Sequence, residues 1–385
     1  MNEKPVFVIL GAGGFPYSFS AVSNKFFFVA KALILENFDV ILINKFNISD
    51  KVIKESGSFE SIKYSYLSGV KKRETYLSKI IGEFIASIRL FFLLKSLRTK
   101  SQRNYLLVSI NPLISIIYYR ILANVFSYKL IFSIMEYHES LANNLFSKIK
   151  SYLFWNYSFR FADAIIPISK YLQDLIKTKQ SKLPIYKLPI LADYNDSRFK
   201  TAKAKDKCFL YCGSIGFHEV INLIINSFLK LNCPDVRLNL VLYGDLKKIE
   251  ELEYSIKDKK MIKVYYGLSK DELYQMYSRS LGLLIPLRPT IQDNARFPQK
   301  IAEYLASGST IITNNVGEIQ YYFSNGVDAI FVEDYSVDAF SDAMQFVLDN
   351  PDKSKEIGER GRILGYKYFH YESIAKEFSE FILSI

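Results

Sequence analysis

Short apolar runs alternate with amphipathic stretches along almost the whole chain. Val6–Leu10, Asp39–Asn44, Ile62–Leu67, Tyr105–Ile110, Lys129–Met135, Asp163–Ile168 and Ile185–Ile190 have the length and content of buried strands. Helical periodicity fills the gaps, as in Ser20–Asn37. A second series runs through Cys208–Cys212, Arg237–Tyr243, Ile262–Tyr266, Leu281–Leu287, Thr310–Thr313 and Asp328–Val332, and the chain closes with helices near Ser336–Asp349, Lys353–Lys367 and Tyr371–Ile385. Strands alternating with helices predict an α/β protein whose parallel sheets are covered on both faces. The rhythm breaks at the polar, charge-rich Leu191–Lys207, which reads as a linker. The expected division is therefore a first domain over 1–190, a linker over 191–207, a second domain over 208–368 and a closing helix over 369–385. Two doubly wound domains in tandem bring the carboxyl ends of their strands to a shared cleft, where open parallel sheets bind ligands. The loops after Leu10, Met135, Cys212, Tyr243, Tyr266 and Leu287 are expected to face it.

One stretch, Leu281–Glu318, concentrates the candidate chemistry. It reads as a strand over Leu281–Leu287, a polar loop over Arg288–Phe297, a helix opening at Pro298 and a strand over Thr310–Thr313. Proline suits the first helical position, and the free amides and positive dipole end there favour an anion. Arg296 and Lys300 flank that end, and Glu303 lies three residues after Lys300, on nearly the same helix face. A cation for a phosphate and a carboxylate for sugar hydroxyls, one turn apart, suit a nucleotide sugar. A surface helix with an i, i+3 ion pair has the same spacing.

Composition supports two well-filled cores and argues against disorder: 49% of the 385 residues are hydrophobic and 15% aromatic. Three cysteines, Cys208, Cys212 and Cys233, form no paired framework, as expected in a reducing compartment. The N-terminal residues lack a signal-peptide pattern, and the most apolar stretch, Ile80–Leu97, is interrupted by Glu83, Arg89 and Lys95, against a membrane span. A cytoplasmic protein is expected. The net charge of +11 sits entirely in the first half: residues 1–200 carry +14 and residues 201–385 carry −3. Lys71–Arg103 holds nine basic residues against Glu74 and Glu83. Within it Leu77, Ile80, Ile81, Phe84, Ile85, Ile88, Phe91 and Phe92 recur at helical spacing. This segment can lie in an anionic membrane interface, or bury its stripe in the core and leave a solvated basic face.

Other chemistries find little support. Gly11-Ala12-Gly13-Gly14 follows the first strand, but Pro16 stands where GxGxxG needs its last glycine, so a tight turn approaching a ligand is the expectation. His138, in IMEYHES beside Glu136 and Glu139, follows a predicted strand and belongs at the cleft edge, although a histidine capping the next helix reads the same. The chain has no HExxH, CxxC or DxD, so no metal or cofactor is expected, and a phosphate leaving group must rely on Lys, Arg and helix amides. No GxSxG elbow or Cys/His nucleophile pattern occurs, and no nucleic-acid motif accompanies the basic half.

Taken together, FPQKIAEYLASGSTIITNNVGEI, FLYCGSIGFHEVINLIINSF, LVLYGD, KVYYGLSKDELYQMYSRSLGLLIPL, FADAIIPISKYLQDLIK, YKLPILAD and FSAVSNKFFFVAKALILENFDVILI resemble the retaining family 4 (group 1) glycosyltransferases of GT-B fold. That resemblance covers essentially the whole chain. It implies two Rossmann-like domains, Glu303 on the ribose hydroxyls and Lys300 on the diphosphate. It also implies the base at the Gly267-Leu268 backbone, Gly213 and Ser214 near the phosphates, and Ser20 approaching them from the other domain. Phe297 and Pro298 complete the donor loop, while Gly13, Gly14 and His138 lie on the acceptor side, His138 beside the transferred sugar. The chain departs from the pattern in three places. Ala295 stands where many relatives carry a glutamate that contacts the sugar, leaving Asp293 or Asn294 to substitute. Phe217-His218-Glu219 replaces a cationic pair, for which Arg296 can compensate. Ser20-Ala21 replaces a glycine pair.

The function implied is retaining, metal-independent transfer of a hexosyl or N-acetylhexosaminyl group from a nucleoside-diphosphate sugar, UDP ahead of GDP, to a hydroxyl acceptor. A lipid-linked saccharide of capsular, exo- or lipopolysaccharide synthesis, or a soluble one, is the expected acceptor. The basic first half would hold the enzyme peripherally at the inner face of the plasma membrane. A nucleotide-sugar epimerase of the same fold, or a non-catalytic nucleotide-binding homologue, would share these motifs.

Overall fold

A computed structural model describes residues 3–17, 20–46, 54–69, 75–99, 102–109, 112–137, 144–199 and 205–385. His138 and part of Lys71–Arg103 lie outside them. The chain forms two compact units: 1–192 with 295–299 and 371–385, and 193–294 with 300–370.

The first unit begins with β1 (Val6–Leu10), α1 (Ala21–Leu35), β2 (Asp39–Asn44), β3 (Ser56–Phe59) and β4 (Ile62–Tyr66). It continues through α2 (Tyr76–Leu97), β5 (Asn104–Ser109), α3 (Leu113–Phe126), β6 (Tyr128–Ile134), α4 (Leu145–Tyr157), β7 (Ala164–Pro167) and α5 (Lys170–Lys179). The sheet order is β3-β4-β2-β1-β5-β6-β7, parallel apart from the β3–β4 hairpin. Reversal of direction either side of β1 is the doubly wound pattern. One sheet face presents Phe7, Ile9, Leu42, Tyr105 and Ile131 to α1, and the side chains between them point the other way. Right-handed crossovers place α2, α3 and α4 over that other face.

The stripe of α2 does not enter the core. Phe84 is 68% exposed, while Ala86, Leu90 and Leu94 on the opposite side of the helix are buried.

Two expectations differ locally. Ile185–Ile190 is not a strand: Tyr186 N donates to Ile165 O at 3.1 Å and Leu188 N to Pro167 O at 3.0 Å, but Pro184 and Pro189 have no N–H to continue a ladder. β3 was not expected, since SGSF is polar and exposed. Its turn uses Glu60 and Ser61 at φ 44° and 67°, the conformation of a two-residue hairpin, without the usual Asn-Gly.

The second unit comprises β8 (Asp206–Ser214), α6 (His218–Lys230), β9 (Arg237–Tyr243), α7 (Leu246–Ser255), β10 (Ile262–Tyr265), α8 (Lys270–Arg279) and β11 (Ser280–Ile285). α9 (Ile291–Ala295), α10 (Lys300–Ala306), β12 (Thr310–Asn314), α11 (Ile319–Tyr322), β13 (Ile330–Val332), α12 (Val337–Asp349) and α13 (Pro351–Phe369) complete it. Its sheet is parallel throughout, in the order β10-β9-β8-β11-β12-β13. The final helix, α14 (Tyr371–Ser384), belongs to the first unit, whose core receives Tyr371, Ile374, Phe378 and Ile382.

Candidate active site

The stretch expected to be a loop before Pro298 contains α9, and the following helix starts at Lys300, two residues later than expected. Thr290 accounts for the extra helix: its Oγ1 accepts from Asp293 N at 3.3 Å and its carbonyl from Asn294 N at 3.0 Å. Thr-x-x-Asp is a helix-start signature, so the signal was present in the sequence.

α10 sets its first residue against the carboxyl end of β8. Lys300 Nζ donates to Cys212 O at 2.6 Å and lies 4.3 Å from the Tyr211 ring centre. The backbone N–H of the same residue donates to Tyr304 Oη at 2.9 Å, and the Tyr304 ring packs edge-on to Tyr277 at 4.7 Å. Both backbone polar groups of Cys212 are thus tied to α10, so the position of Lys300 follows from the sheet. Gly213 comes next. A Cβ there would meet Tyr211 Oη at 2.3 Å, so any larger residue near the end of β8 would displace the ring beneath Lys300. Ser214 then closes the turn by accepting from Gly216 N at 3.2 Å.

Glu303, one turn along α10, is buried beside Tyr274. Burial, followed by the neighbouring Glu303 charge, pushes the Tyr274 phenol well above its ordinary range, so it remains a hydroxyl donor. Tyr274 is stacked on Phe199 at 4.0 Å, which fixes its ring. Gly267 and Leu268 leave β10 at the same sheet edge but two strands from β8, about 10 Å across the sheet. Gly267 has φ 70°, with open space where a side chain would stand.

Asp293 is fully buried, and its carboxylate is held by Arg288, which donates from its backbone N at 2.7 Å and from Nε at 3.1 Å. That pairing raises the pKa of Arg288. The pair braces the loop, so Asp293 faces its arginine and Asn294 is the one left near the loop surface. Asn294 Oδ1 accepts from Gly317 N at 3.2 Å. The sequence reading passed over Arg288, which stands 5.6 Å from the Phe217 ring and 3.9 Å from Glu219. It thereby brings a cation to the Phe217-His218-Glu219 turn, together with its own counterion.

Arg296, Phe297 and Pro298 fall in the 295–299 segment that clusters with the first unit. Ser169 Oγ donates to Ala295 O at 2.6 Å and Gln299 to the Leu191 carbonyl. Also in the first unit, Gly14 N donates to Asn44 Oδ1 at 2.8 Å and Tyr66 Oη to Gly14 O at 2.6 Å. Gly13, at φ 63°, packs against the start of α1, where Ser20 Oγ caps the helix by accepting from Ser23 N at 3.2 Å. Among the described residues no three His, Cys, Asp or Glu side chains group as metal ligands.

Comparison with known proteins places this geometry. Residues 193–363 match the family model of glycosyl transferases group 1. An uncharacterized glycosyltransferase of Methanocaldococcus jannaschii is 22% identical over 242 residues, covering 61% of this chain and 64% of that relative's length. Sucrose-phosphate synthase from Thermosynechococcus elongatus superposes with a TM-score of 0.77 at 14% identity, over 99% of both chains. Anabaena HepE, solved in complex with UDP-glucose, gives a TM-score of 0.69 at 13% identity, over 99% of this chain and 100% of that one. The fold is GT-B, two Rossmann-like units, and the match to the glycosyl transferases group 1 model falls on residues 193–363, almost all of them in the second unit.

Proposed function

We propose that this chain transfers a hexosyl or N-acetylhexosaminyl group from a nucleoside-diphosphate sugar, UDP ahead of GDP, to a saccharide hydroxyl with retained configuration and without a divalent metal. The acceptor is a lipid-linked saccharide of capsular, exo- or lipopolysaccharide assembly, met at the inner face of the plasma membrane. One observation carries the reading: the Lys300 ammonium is held 2.6 Å from the Cys212 carbonyl, immediately before the Gly213-Ser214 turn, with Glu303 buried one turn behind it.

Lys300, joined by Arg296, neutralises the diphosphate as the bond from sugar C1 to the phosphate oxygen breaks. The acceptor oxygen bonds to C1 on the same face and passes its proton to a phosphate oxygen. Glu303, braced by Tyr274, takes the ribose hydroxyls; Gly267 and Leu268 take the base; Asn294 lies toward the sugar. Ser20, Gly13, Gly14 and His138 serve the other side of the reaction. The protein contributes placement and a preorganised positive field.

Release of UDP or GDP from a panel of donors tests this. Lys300→Ala is expected to lose about a hundredfold in turnover, the usual cost of one stabilising donor, with its melting temperature unchanged. Glu303→Ala is expected to weaken nucleotide binding, and EDTA to leave turnover intact. Wild-type turnover in Lys300→Ala overturns the assignment.

A further inference from the structure

The first unit exposes many bulky apolar side chains on three of its helices. On α2 the crest is formed by Ile80, Phe84 and Ile88, spaced four residues apart and 49%, 68% and 44% exposed. α3 lies alongside, joined by Tyr118 Oη to Ser87 O at 2.6 Å and by the Phe91 and Phe126 rings at 4.9 Å. It turns Ile117 and Ile121 outward, while Ile116 and Tyr119 are buried beneath. α4 packs against α3 and repeats the arrangement: Phe154 stacks on Phe132 of the sheet at 6.5 Å, and Phe146 and Ile149 stand exposed. Three neighbouring helices thus show bulky apolar side chains to solvent, the kind of clustering that marks an interaction surface.

The charge on this layer is one-sided. α2, α3 and α4 contain six Lys or Arg and one acidic residue, Glu83, which is engaged by Lys45 at 3.3 Å. Lys79, Lys95, Lys148 and Lys150 are exposed, and Lys150 Nζ lies 4.1 Å from the Phe146 ring centre, a cation at the rim of the apolar surface. Among the described residues no helix is long and apolar enough to cross a membrane.

We propose that the outer face of α2, α3 and α4 seats on an anionic lipid bilayer, with its apolar crests in the interfacial zone and its lysines among the headgroups. This reaches beyond Lys71–Arg103, because α3 and α4 add Ile117, Ile121, Phe146 and Ile149 to the exposed apolar side chains and Lys148 and Lys150 to the exposed cations. Charge selects the occupant. Arg89 and Arg120 are paired with Glu55 and Asp163, which leaves the exposed lysines to set the sign: a second copy would bring lysines against lysines, whereas an anionic leaflet complements them.

Sedimentation with vesicles of neutral phosphatidylcholine, and of phosphatidylcholine mixed with phosphatidylglycerol, tests the proposal on the full chain. Binding is expected to the mixed vesicles at least tenfold more tightly than to the neutral ones, falling as salt rises. Removing lysines (Lys79→Glu, Lys95→Glu, Lys148→Glu and Lys150→Glu) should weaken it about fivefold per charge. Phe84→Glu with Ile121→Glu should abolish it while the melting temperature and nucleotide release in solution stay put. No binding by the wild type at low salt, or binding indifferent to both variant sets, overturns the proposal. So does a wild-type dimer without lipid affinity that Phe84→Glu dissociates. Vesicle binding needs no turnover, so a silent enzyme that sediments refutes only the proposed function, and an active one that stays in solution refutes only this face.

Discussion

Lys25 is an unusual side chain for a helix interior. It is 1% exposed on α1, and its Nζ donates to Leu188 O at 3.4 Å. Burial lowers its pKa from 10.5 to about 7. Between those values the unfolded chain binds more protons than the folded one, so stability must rise with pH across that window. The slope approaches about 1.4 kcal/mol per pH unit for one group. Urea midpoints of the wild type should climb on going from neutral to alkaline pH, whereas Lys25→Met should be flatter and the more stable of the two at neutral pH. Parallel curves would show that this amine does not titrate where its burial puts it. The candidate site residues teach a related lesson. Spacing together with the family resemblance singles out Lys300 and Glu303, but the Cys212 carbonyl and the Tyr274 phenol that hold them come from distant strands and helices. Asp293 shows the reverse: its position in the chain suits a sugar contact, and only the fold reveals that Arg288 occupies it.

α13 carries Gly358, Gly361 and Gly365 on one side, a costly composition for a helix. The reason is proximity. A Cβ at Gly358 would meet Gly308 O at 2.5 Å, with Ser309 C and Thr310 N at 3.0 Å, all backbone atoms unable to step aside. Gly358→Ala would gain up to about 1 kcal/mol in helix propensity and lose roughly 1–3 kcal/mol to overpacking. A net destabilisation is expected in thermal melts, beside an exposed control, Glu359→Ala, that barely moves. A higher melting temperature in Gly358→Ala would mean the helix does not sit at backbone distance from β12. At this scale the sequence was read well where periodicity and burial agree: β1, β2 and β9 begin and end where their apolar runs do. It was read poorly where they part. Ile185–Ile190 is apolar enough for a strand, but its prolines remove the donors. β3 carries a single apolar side chain, Phe59, which packs edge-on to Phe15 at 5.7 Å, too little to form a pattern that announces it. The α2 stripe has helical spacing that is correct for the element and silent about which way the element faces.

The course of the backbone crosses the two units more than once, since α14 follows the second unit yet completes the first. Its contribution there is not peripheral. The Tyr371 ring stacks on Phe28 at 5.9 Å, Phe378 lies 5.5 Å from Tyr186, and Arg103 donates to Leu383 O at 2.8 Å. Tyr371, Ile374, Phe378 and Ile382 are all buried. At about 2 kcal/mol for each large apolar side chain, their burial amounts to roughly 8 kcal/mol, comparable with the whole stability of a typical domain. A chain ending at His370 should therefore lose the first unit's cooperative fold and keep the second, whose core cluster includes none of these side chains. Hydrogen exchange resolves the two: β1 and α1 should lose protection in the truncated chain while β8 and β11 retain it. Undiminished protection in β1 would show that α14 merely covers a core already stable without it. Loss in both units together would show that the two fold as one cooperative body, in which case destabilising either end of the chain would unfold the proposed donor site along with the rest.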